Sequence, residues 1–216
     1  MPRTPPKLCP KIILEGTRLT FKTELAFVLN EHPRVVGPRK YRYHSPVISG
    51  EWCGFTNYPW GRGIINFNPD EEHLAMETYE TWVRMFELQR YYSWIVDRFH
   101  LSTQSYQQTH NNRHYDFHWL ERRLLPLGFR LVLCTRSEES FESARTRRLL
   151  VSGNPSQYDD LGRFVHEQNL LKDLASASIL PTLALDMSDN NVERAANDVA
   201  TWLEATDGLG LYEGSA

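Results

Sequence analysis

The sequence has few cysteines and no long apolar run. Its three cysteines, Cys9, Cys53 and Cys134, are odd in number and widely spaced, which favours reduced thiols over a disulfide framework or a zinc knuckle. No run approaches the roughly 18 apolar residues that cross a bilayer. Residues 1–6 are polar and proline-rich, with no apolar signal-peptide core after them. We therefore expect a cytoplasmic protein that has no membrane-spanning segment.

The sequence also lacks an excess of positive charge. Lys and Arg number 24 against 27 Asp and Glu, so the net charge is −3 and broad attraction to a nucleic-acid backbone is not expected. One basic and aromatic stretch, Tyr41-Arg42-Tyr43-His44, does not change this expectation. The 216 residues, 41% of them hydrophobic, are typical of one globular domain. We expect that domain at 11–216, after a loose leader at 1–10.

Short apolar runs and helical periods alternate along the chain at intervals too long for hairpins. The pattern predicts a three-layer α/β fold with a parallel sheet covered by helices on both faces. Residues 34–68 have few clean periods and predict long irregular loops, with a short strand at 35–36. The predicted strands are 11–15, 91–97, 129–134 and 179–185. The predicted helices are 23–32, 68–86, 112–126, 137–150, 158–177 and 189–205.

A phosphate-loop pattern follows the first predicted strand. Residues 16–23, G-T-R-L-T-F-K-T, match G-x-x-x-x-G-K-[ST] except that Phe21 replaces the second glycine. In this pattern backbone N–H groups hold phosphate, the lysine reaches the β- and γ-phosphates, and the hydroxyl holds Mg²⁺. An ordinary strand–loop–helix corner is the alternative. The predicted nucleotide-binding residues are Gly16, Thr17, Arg18, Thr20, Phe21, Lys22 and Thr23.

Two further motifs carry charged side chains. Asp97 ends a predicted buried strand and Arg98 follows it, at the sheet edge where open α/β sheets bind ligands. The carboxylate suits Mg²⁺ and the guanidinium suits a phosphate, although an ion pair at a strand end is common. Arg145, Arg147 and Arg148 lie at the end of a predicted helix. They could close over a transferring phosphoryl group or form a solvated basic turn.

Together these motifs resemble the thymidylate kinase branch of the P-loop nucleoside and nucleotide kinases. Residues 97–107, D-R-F-H-L-S-T-Q-S-Y-Q, are close to that family's D-R-[YH]-x-x-S-x-x-A-Y-Q segment, and Leu14-Glu15-Gly16 resembles the start of its phosphate loop. The three arginines fall where its LID arginines begin, which implies a short LID near 145–160. Residues 185–188, L-D-M-S, resemble its D-A-T turn beside the adenine. The resemblance covers most of the chain and is weakest over 34–90.

The resemblance implies phosphoryl transfer from ATP, with Mg²⁺, to a nucleotide, a nucleoside or a similar small phosphate acceptor. Thr23 and Asp97 would hold the metal. Arg98 would bind the acceptor's phosphate or its attacking oxygen. The implied catalytic residues are Lys22, Asp97, Arg98, Arg145 and Arg148. The implied acceptor-binding residues are Arg98, Ser102, Thr103, Tyr106 and Gln107.

Departures from the family pattern keep other functions open. Phe21 stands where a glycine lets phosphate approach the backbone, so its ring must turn into the core, against residues such as Ile13 or Leu25, if the loop binds phosphate. Arg18 stands where these kinases usually have an acid that meets the acceptor sugar, and Leu19 replaces another small residue. The alternatives are a P-loop scaffold that binds a nucleotide or a partner without chemistry, and a kinase of a non-nucleotide metabolite. A homodimer is compatible with each.

Two more groups of side chains have competing explanations. His110, His114 and His118 lie four residues apart, which could align them for a metal, but a pocket rim or a plain surface is favoured. His100, beside Arg98, is the better pocket candidate. An aromatic stretch could form a wall for a flat acceptor, although burial under a long loop is the commoner explanation. Its members are Trp52, Phe55, Tyr58, Trp60 and Phe67.

Overall fold

The structure, a computed structural model, describes residues 8–37, 47–56 and 61–210. Its five strands are β1 Lys11–Glu15, β2 Val47–Ser49, β3 Trp94–Asp97, β4 Phe129–Thr135 and β5 Thr182–Asp186. They form one sheet in the order β2-β3-β1-β4-β5, and every pairing is parallel. The carboxyl ends of all five strands therefore meet at one edge of the sheet.

Helices cover both faces of this sheet. They are α1 Lys22–Glu31, α2 Pro33–Val36, α3 Glu72–Leu88, α4 His100–Asn111, α5 His118–Leu124, α6 Ser140–Leu149, α7 Gly162–Ala177 and α8 Val192–Ala205. Short 3₁₀ turns lie at Pro69–Glu71, Leu125–Leu127 and Pro155–Tyr158. The predicted three-layer α/β fold with a parallel sheet is confirmed. Within the described ranges, no helix has both the length and the apolar character that crossing a membrane requires.

The first strand explains how the layers are held. All five residues of β1 are buried, and successive side chains point to opposite faces. Ile12 and Leu14 belong to the core beneath α1 and α8, whereas Ile13 belongs to the core beneath α3 and α5. A strand that is apolar on both faces is typical of a parallel sheet between two helical layers.

The structure corrects three local predictions. Val35 and Val36 do not form a strand, because Pro33 starts the short helix α2. The region 34–68 is not wholly irregular, because β2 lies in it and pairs with β3. The helix predicted over 112–126 begins only at His118, and the chain before it contains α4. Periodicity missed α4 because polar residues, among them Ser102 and Gln107, occupy its buried face.

The side chain of Glu15, at the end of β1, joins the sheet to α4. The carboxylate is fully buried. Its Oε1 accepts hydrogen bonds from the backbone N–H groups of Phe99 and Leu101, each at 3.0 Å, and of Ser102 at 3.3 Å. The Ser102 hydroxyl donates to Oε2 at 2.5 Å. Because the first N–H groups of a helix lack intrahelical partners, this carboxylate caps α4.

We expect Glu15→Ala to destabilise the protein by roughly 2–4 kcal/mol, because several buried N–H groups lose their acceptor at once. Urea unfolding followed by circular dichroism measures the change. Glu80→Ala is the control, because the Glu80 carboxylate is exposed and its ion pair with Arg123 lies on the surface. Equal losses of stability in the two variants would show that the Glu15 cap contributes no more to the free energy of unfolding than a surface ion pair does.

Candidate functional site

Two adjoining cavities open at the carboxyl edge of the sheet. The large cavity, about 720 Å³, lies over the phosphate loop and the start of α1 and extends to Arg148. The small cavity, about 320 Å³, lies between α4 and the first turns of α7. Of the described residues, four line both cavities: Arg18, Glu51, Asn66 and Arg98. The two cavities therefore meet at these four side chains.

Three polar side chains meet at the start of α1. The Thr23 hydroxyl donates to Asp97 Oδ2 at 2.6 Å, and Lys22 Nζ donates to the Thr17 carbonyl at 3.3 Å. Asp97 Oδ1 is buried, and no described residue makes a hydrogen bond to it. An unpartnered carboxylate oxygen beside a hydroxyl fits the oxygen ligands that Mg²⁺ prefers.

Lys22 is the first residue of α1 and does not lie at an exposed loop end. The side chain is buried. Burial lowers the pKa of Lys22, and the charge of Arg98 lowers it further. The carboxylates of Asp97, Glu51 and Glu167 oppose this change. The Lys22 side chain therefore lies inside the site, near carboxylates that stabilise its charged form.

The phosphate loop has an unusual backbone. Gly16 has φ +148°, and a Cβ atom there would lie 2.6 Å from the Cys134 carbonyl oxygen, so only glycine fits. Leu19 and Phe21 also adopt left-handed conformations, with φ values of 69° and 53°. Bulky residues rarely adopt this conformation, which is strained. The Thr20 hydroxyl stabilises the turn by donating to the Thr17 carbonyl at 2.8 Å.

The Phe21 ring turns into the core. It is 5% exposed and belongs to the same buried cluster as Leu25, while Ile13 lies on the opposite face of the sheet. The guanidinium groups of Arg147 and Arg148 each lie 5.2 Å from the ring centroid. No side chain caps the start of α1, so its first N–H groups can bind an anion. With the ring turned away, we predict that the N–H groups of residues 20–23 face the cavity.

Arg98 lies at the centre of an ion-pair network. It has φ 63° and is buried, with Nε 3.1 Å from Glu51 Oε2 and a terminal nitrogen 3.6 Å from Glu167 Oε1. Burial alone would lower the pKa of Arg98, but the charges of Glu51 and Glu167 outweigh it and raise the pKa. Glu167 Oε2 also accepts a hydrogen bond from the Thr17 hydroxyl. Glu167 thereby connects α7 to both motifs.

Sequence reasoning missed both carboxylates of this network. Glu51 follows the three-residue strand β2, which no apolar run marks. Glu167 lies on α7, 150 residues after Thr17. Gly50, the residue before Glu51, lies against the chain after β3, because a Cβ atom at Gly50 would lie 2.5 Å from the Arg98 carbonyl oxygen. That close approach brings Glu51 to Arg98.

Of the predicted acceptor-binding residues on α4, only Tyr106 lines a cavity. Ser102 is bonded to Glu15, and the Thr103 hydroxyl donates to the Ile64 carbonyl at 2.9 Å. The Gln107 amide donates to the Ile65 and Phe67 carbonyls, at 3.1 and 2.9 Å. These three side chains point to the core, where they bind the backbone of the 64–67 segment and the β1 end.

The small cavity uses other residues of α4. The Ser105 hydroxyl is buried and has no hydrogen-bond partner among the described residues, and Ser105 lines the cavity. The rings of Tyr106 and His110 are stacked, with centroids 4.1 Å apart and planes 12° apart. Phe164, on α7, also lines the cavity. The cavity therefore combines flat aromatic walls with an unused hydroxyl.

The arginines of α6 divide between different partners. Arg148 lines the large cavity and forms an ion pair with Glu24 at 2.7 Å. Arg145 pairs with Glu142 and Asp159, at 3.3 and 3.6 Å, and does not line either cavity. Arg145 and Arg148 are both predicted to be catalytic, and the structure brings only Arg148 to the site. The LID near 145–160 stays a prediction.

The structure places the histidines apart from one another. His100 is fully buried, with Nε2 2.9 Å from Glu121 Oε1, and lines neither cavity. His110 lies in the last turn of α4, His114 lies in the connection, and His118 starts α5. The described residues contain no group of three or more His, Cys, Asp or Glu side chains that could hold a metal.

The aromatic stretch does not form one wall. Trp52 lines the large cavity and is 81% exposed, while Phe67 is buried in the core. Phe55 packs on the core beneath α3. Tyr58 and Trp60 lie outside the described residues, as do the basic stretch 41–44 and most of the leader. Cys9, Cys53 and Cys134 are all described, and none forms a disulfide.

The chain has a thymidylate kinase-like P-loop kinase fold. The YorR protein of Bacillus subtilis, solved in complex with phosphorylated GDP, has a TM-score of 0.59 and 18% identity over 91% of this chain and 97% of that one. A thymidylate kinase from Candida albicans has a TM-score of 0.52 and 14% identity over 93% of each chain. No protein-family model matches the sequence. No curated protein matches it either.

We expect Phe21→Gly to bind ATP with Mg²⁺ about as tightly as the parent, because the ring already lies in the core and not in the loop. Calorimetry on both proteins measures the affinity. The variant should also lose roughly 3 kcal/mol of stability with the buried ring. Binding by Phe21→Gly alone would mean that the ring blocks the parent loop, and the non-catalytic alternative would then replace the kinase hypothesis.

Proposed function

We propose that the protein transfers the γ-phosphoryl group of a nucleoside triphosphate to a small acceptor. The observation that carries this proposal is the Thr23–Asp97 hydrogen bond at the start of α1, close enough to Lys22 for the Asp97 charge to act on it, with one Asp97 oxygen buried and without a hydrogen-bond partner among the described residues. A site that only binds a nucleotide has no evident need for all three groups together with Arg98. The kinase-type fold supports the same conclusion.

The triphosphate binds in the large cavity in this proposal. The N–H groups at the start of α1 and the Lys22 ammonium hold its β- and γ-phosphates. Thr23 and Asp97 would hold Mg²⁺, which when bound neutralises charge on the phosphate oxygens. Arg148, at the edge of the cavity, adds positive charge where the transferred group develops negative charge.

The acceptor binds in the small cavity, next to the triphosphate. Arg18, Asn66 and Arg98 line both cavities and so lie where the phosphoryl group passes from donor to acceptor. Little covalent chemistry falls to the protein in such a transfer, so catalysis rests on positioning and on neutralising charge. Because the YorR protein was solved with phosphorylated GDP, GTP is to be tried as a donor beside ATP.

A scaffold that binds a nucleotide without turning it over is the second candidate. Leu19 and Phe21, both bulky and both left-handed, favour it, because they stand where small residues let phosphate approach the backbone. The two candidates differ in turnover. Release of nucleoside diphosphate that depends on an acceptor supports the kinase, whereas binding of triphosphate with no turnover supports the scaffold.

We expect Lys22→Ala to lower the turnover number by about 10²–10³, because the transition state loses a preorganised charge. A coupled assay for nucleoside diphosphate, with an acceptor present, measures the rate. Lys172→Ala, at an exposed position of α7, is the matched control and should keep the parent rate. Circular dichroism checks that both variants fold. If Lys22→Ala turns over as fast as the parent, the assignment of the phosphate loop is wrong.

A further inference from the structure

We infer that the acceptor reacts through a hydroxyl group, and that the Glu51 carboxylate binds this hydroxyl and takes its proton. The substrate class is then an uncharged alcohol with a flat ring, such as a nucleoside, and not a nucleoside monophosphate. This inference rests on the proposed phosphoryl transfer and names the chemistry of its acceptor.

The position of Glu51 is the first argument. Of the described residues, it is the one carboxylate that lines both cavities. Glu24 lines only the large cavity, and Glu167 lines only the small cavity. The attacking oxygen of an acceptor must lie where the cavities meet, so Glu51 is the carboxylate that it would contact.

The balance of charge is the second argument. Arg98 already forms ion pairs with Glu51 and Glu167, at 3.1 and 3.6 Å. Arg18 pairs with Glu51 at 3.5 Å and donates to Gln157. The cations where the cavities meet are thus matched by carboxylates before a ligand binds. A phosphate group on the acceptor would face the Glu51 charge, whereas a hydroxyl would donate a hydrogen bond to it.

The protonation state of Glu51 agrees with this role. The charge of Arg98 holds the pKa of Glu51 below its usual value, against the effect of burial. The carboxylate is therefore ionised at neutral pH and accepts hydrogen bonds only. A weakly basic carboxylate suffices, because the transition state of phosphoryl transfer is loose and the hydroxyl proton leaves late.

The walls of the small cavity fit a flat ring. The Tyr106 and His110 rings, stacked on each other, line the cavity together with Phe164. The buried Ser105 hydroxyl has no partner among the described residues, so it can bind a polar edge of the ring. Of simple alcohols, a nucleoside offers both a flat base and a hydroxyl on its sugar.

The step balances in atoms and electrons. The acceptor oxygen forms a bond to the γ-phosphorus of the triphosphate as the bond from that phosphorus to the β-bridging oxygen breaks. The hydroxyl proton passes to a Glu51 oxygen, and the nucleoside diphosphate leaves with the electron pair of the broken bond. Glu51, 38% exposed at its side chain, then returns the proton to solvent.

The test compares acceptors and variants. The parent is assayed with the common ribo- and deoxyribonucleosides and with their 5′-monophosphates, each with ATP and with GTP. We expect transfer to nucleosides. Glu51→Gln should lower the turnover number with nucleosides by about 10²–10⁴, the range for loss of a general base, with little change in the KM of the triphosphate. Glu204→Gln is the control, since Glu204 also pairs with an arginine, Arg34, but lines neither cavity.

Calorimetry adds a second readout. Glu51→Gln should bind nucleoside monophosphates more tightly than the parent does, because a repelling charge is removed. A merely structural role of Glu51 would weaken the binding of both classes of acceptor. The choice of acceptor by the parent needs no variant, so it tests the inference even if Glu51→Gln does not fold.

The contrary outcomes separate the inference from the proposed function. Transfer to monophosphates and not to nucleosides would overturn the inference and leave the kinase function intact. Parent-like turnover by Glu51→Gln with nucleosides would overturn the assignment of Glu51. No transfer to any of these acceptors would overturn the inference, and calorimetry with ATP and Mg²⁺ would then show whether the chain binds a triphosphate, as a kinase of another acceptor or a scaffold must, or binds none.

Discussion

One buried carboxylate fixes the relation between the two motifs of the site. Glu15 ends β1 immediately before the phosphate loop, and its oxygens bind the start of α4, immediately after Arg98. Parallel strands alone would bring the two motifs to the same edge of the sheet, but strand ends leave the following residues free to turn. Because Glu15 caps α4, the backbone after β3 is held against the backbone after β1. The Thr23–Asp97 hydrogen bond depends on this arrangement.

The ion pairs around Arg98 hold two more segments of the chain at the site. Glu51 brings the chain after β2 to the site, and Glu167 brings α7. Glu51 also pairs with Arg18, and Glu167 also accepts a hydrogen bond from Thr17. Both carboxylates therefore contact the phosphate loop as well. Buried charges of this kind are costly unless they are paired. A guanidinium between two carboxylates meets that condition and leaves a site where opposite charges lie close together.

The sequence predicted the sheet well, because β1, β3 and β4 are continuous apolar runs between helices. It failed where structure depends on contacts distant in sequence. α4 buries hydroxyls and amides, which satisfy the backbone of another segment, so its pattern resembles no amphipathic helix. For the same reason the motif from Asp97 to Gln107 suggested a pocket, while its polar residues bind the protein itself. Glu51 and Glu167 enter the site through tertiary folding, which no local pattern records.

The short strand β2 affects the local stability of the site. β2 is three residues long and, among the described strands, lies at the edge of the sheet and pairs with β3 alone. Edge segments with few hydrogen bonds open at a lower free energy than the central strands, as local unfolding units that hydrogen exchange can resolve. Because Glu51 follows β2 by two residues, such an opening removes its carboxylate while β1, β3 and β4 stay folded. The site is therefore less stable than the fold that carries it.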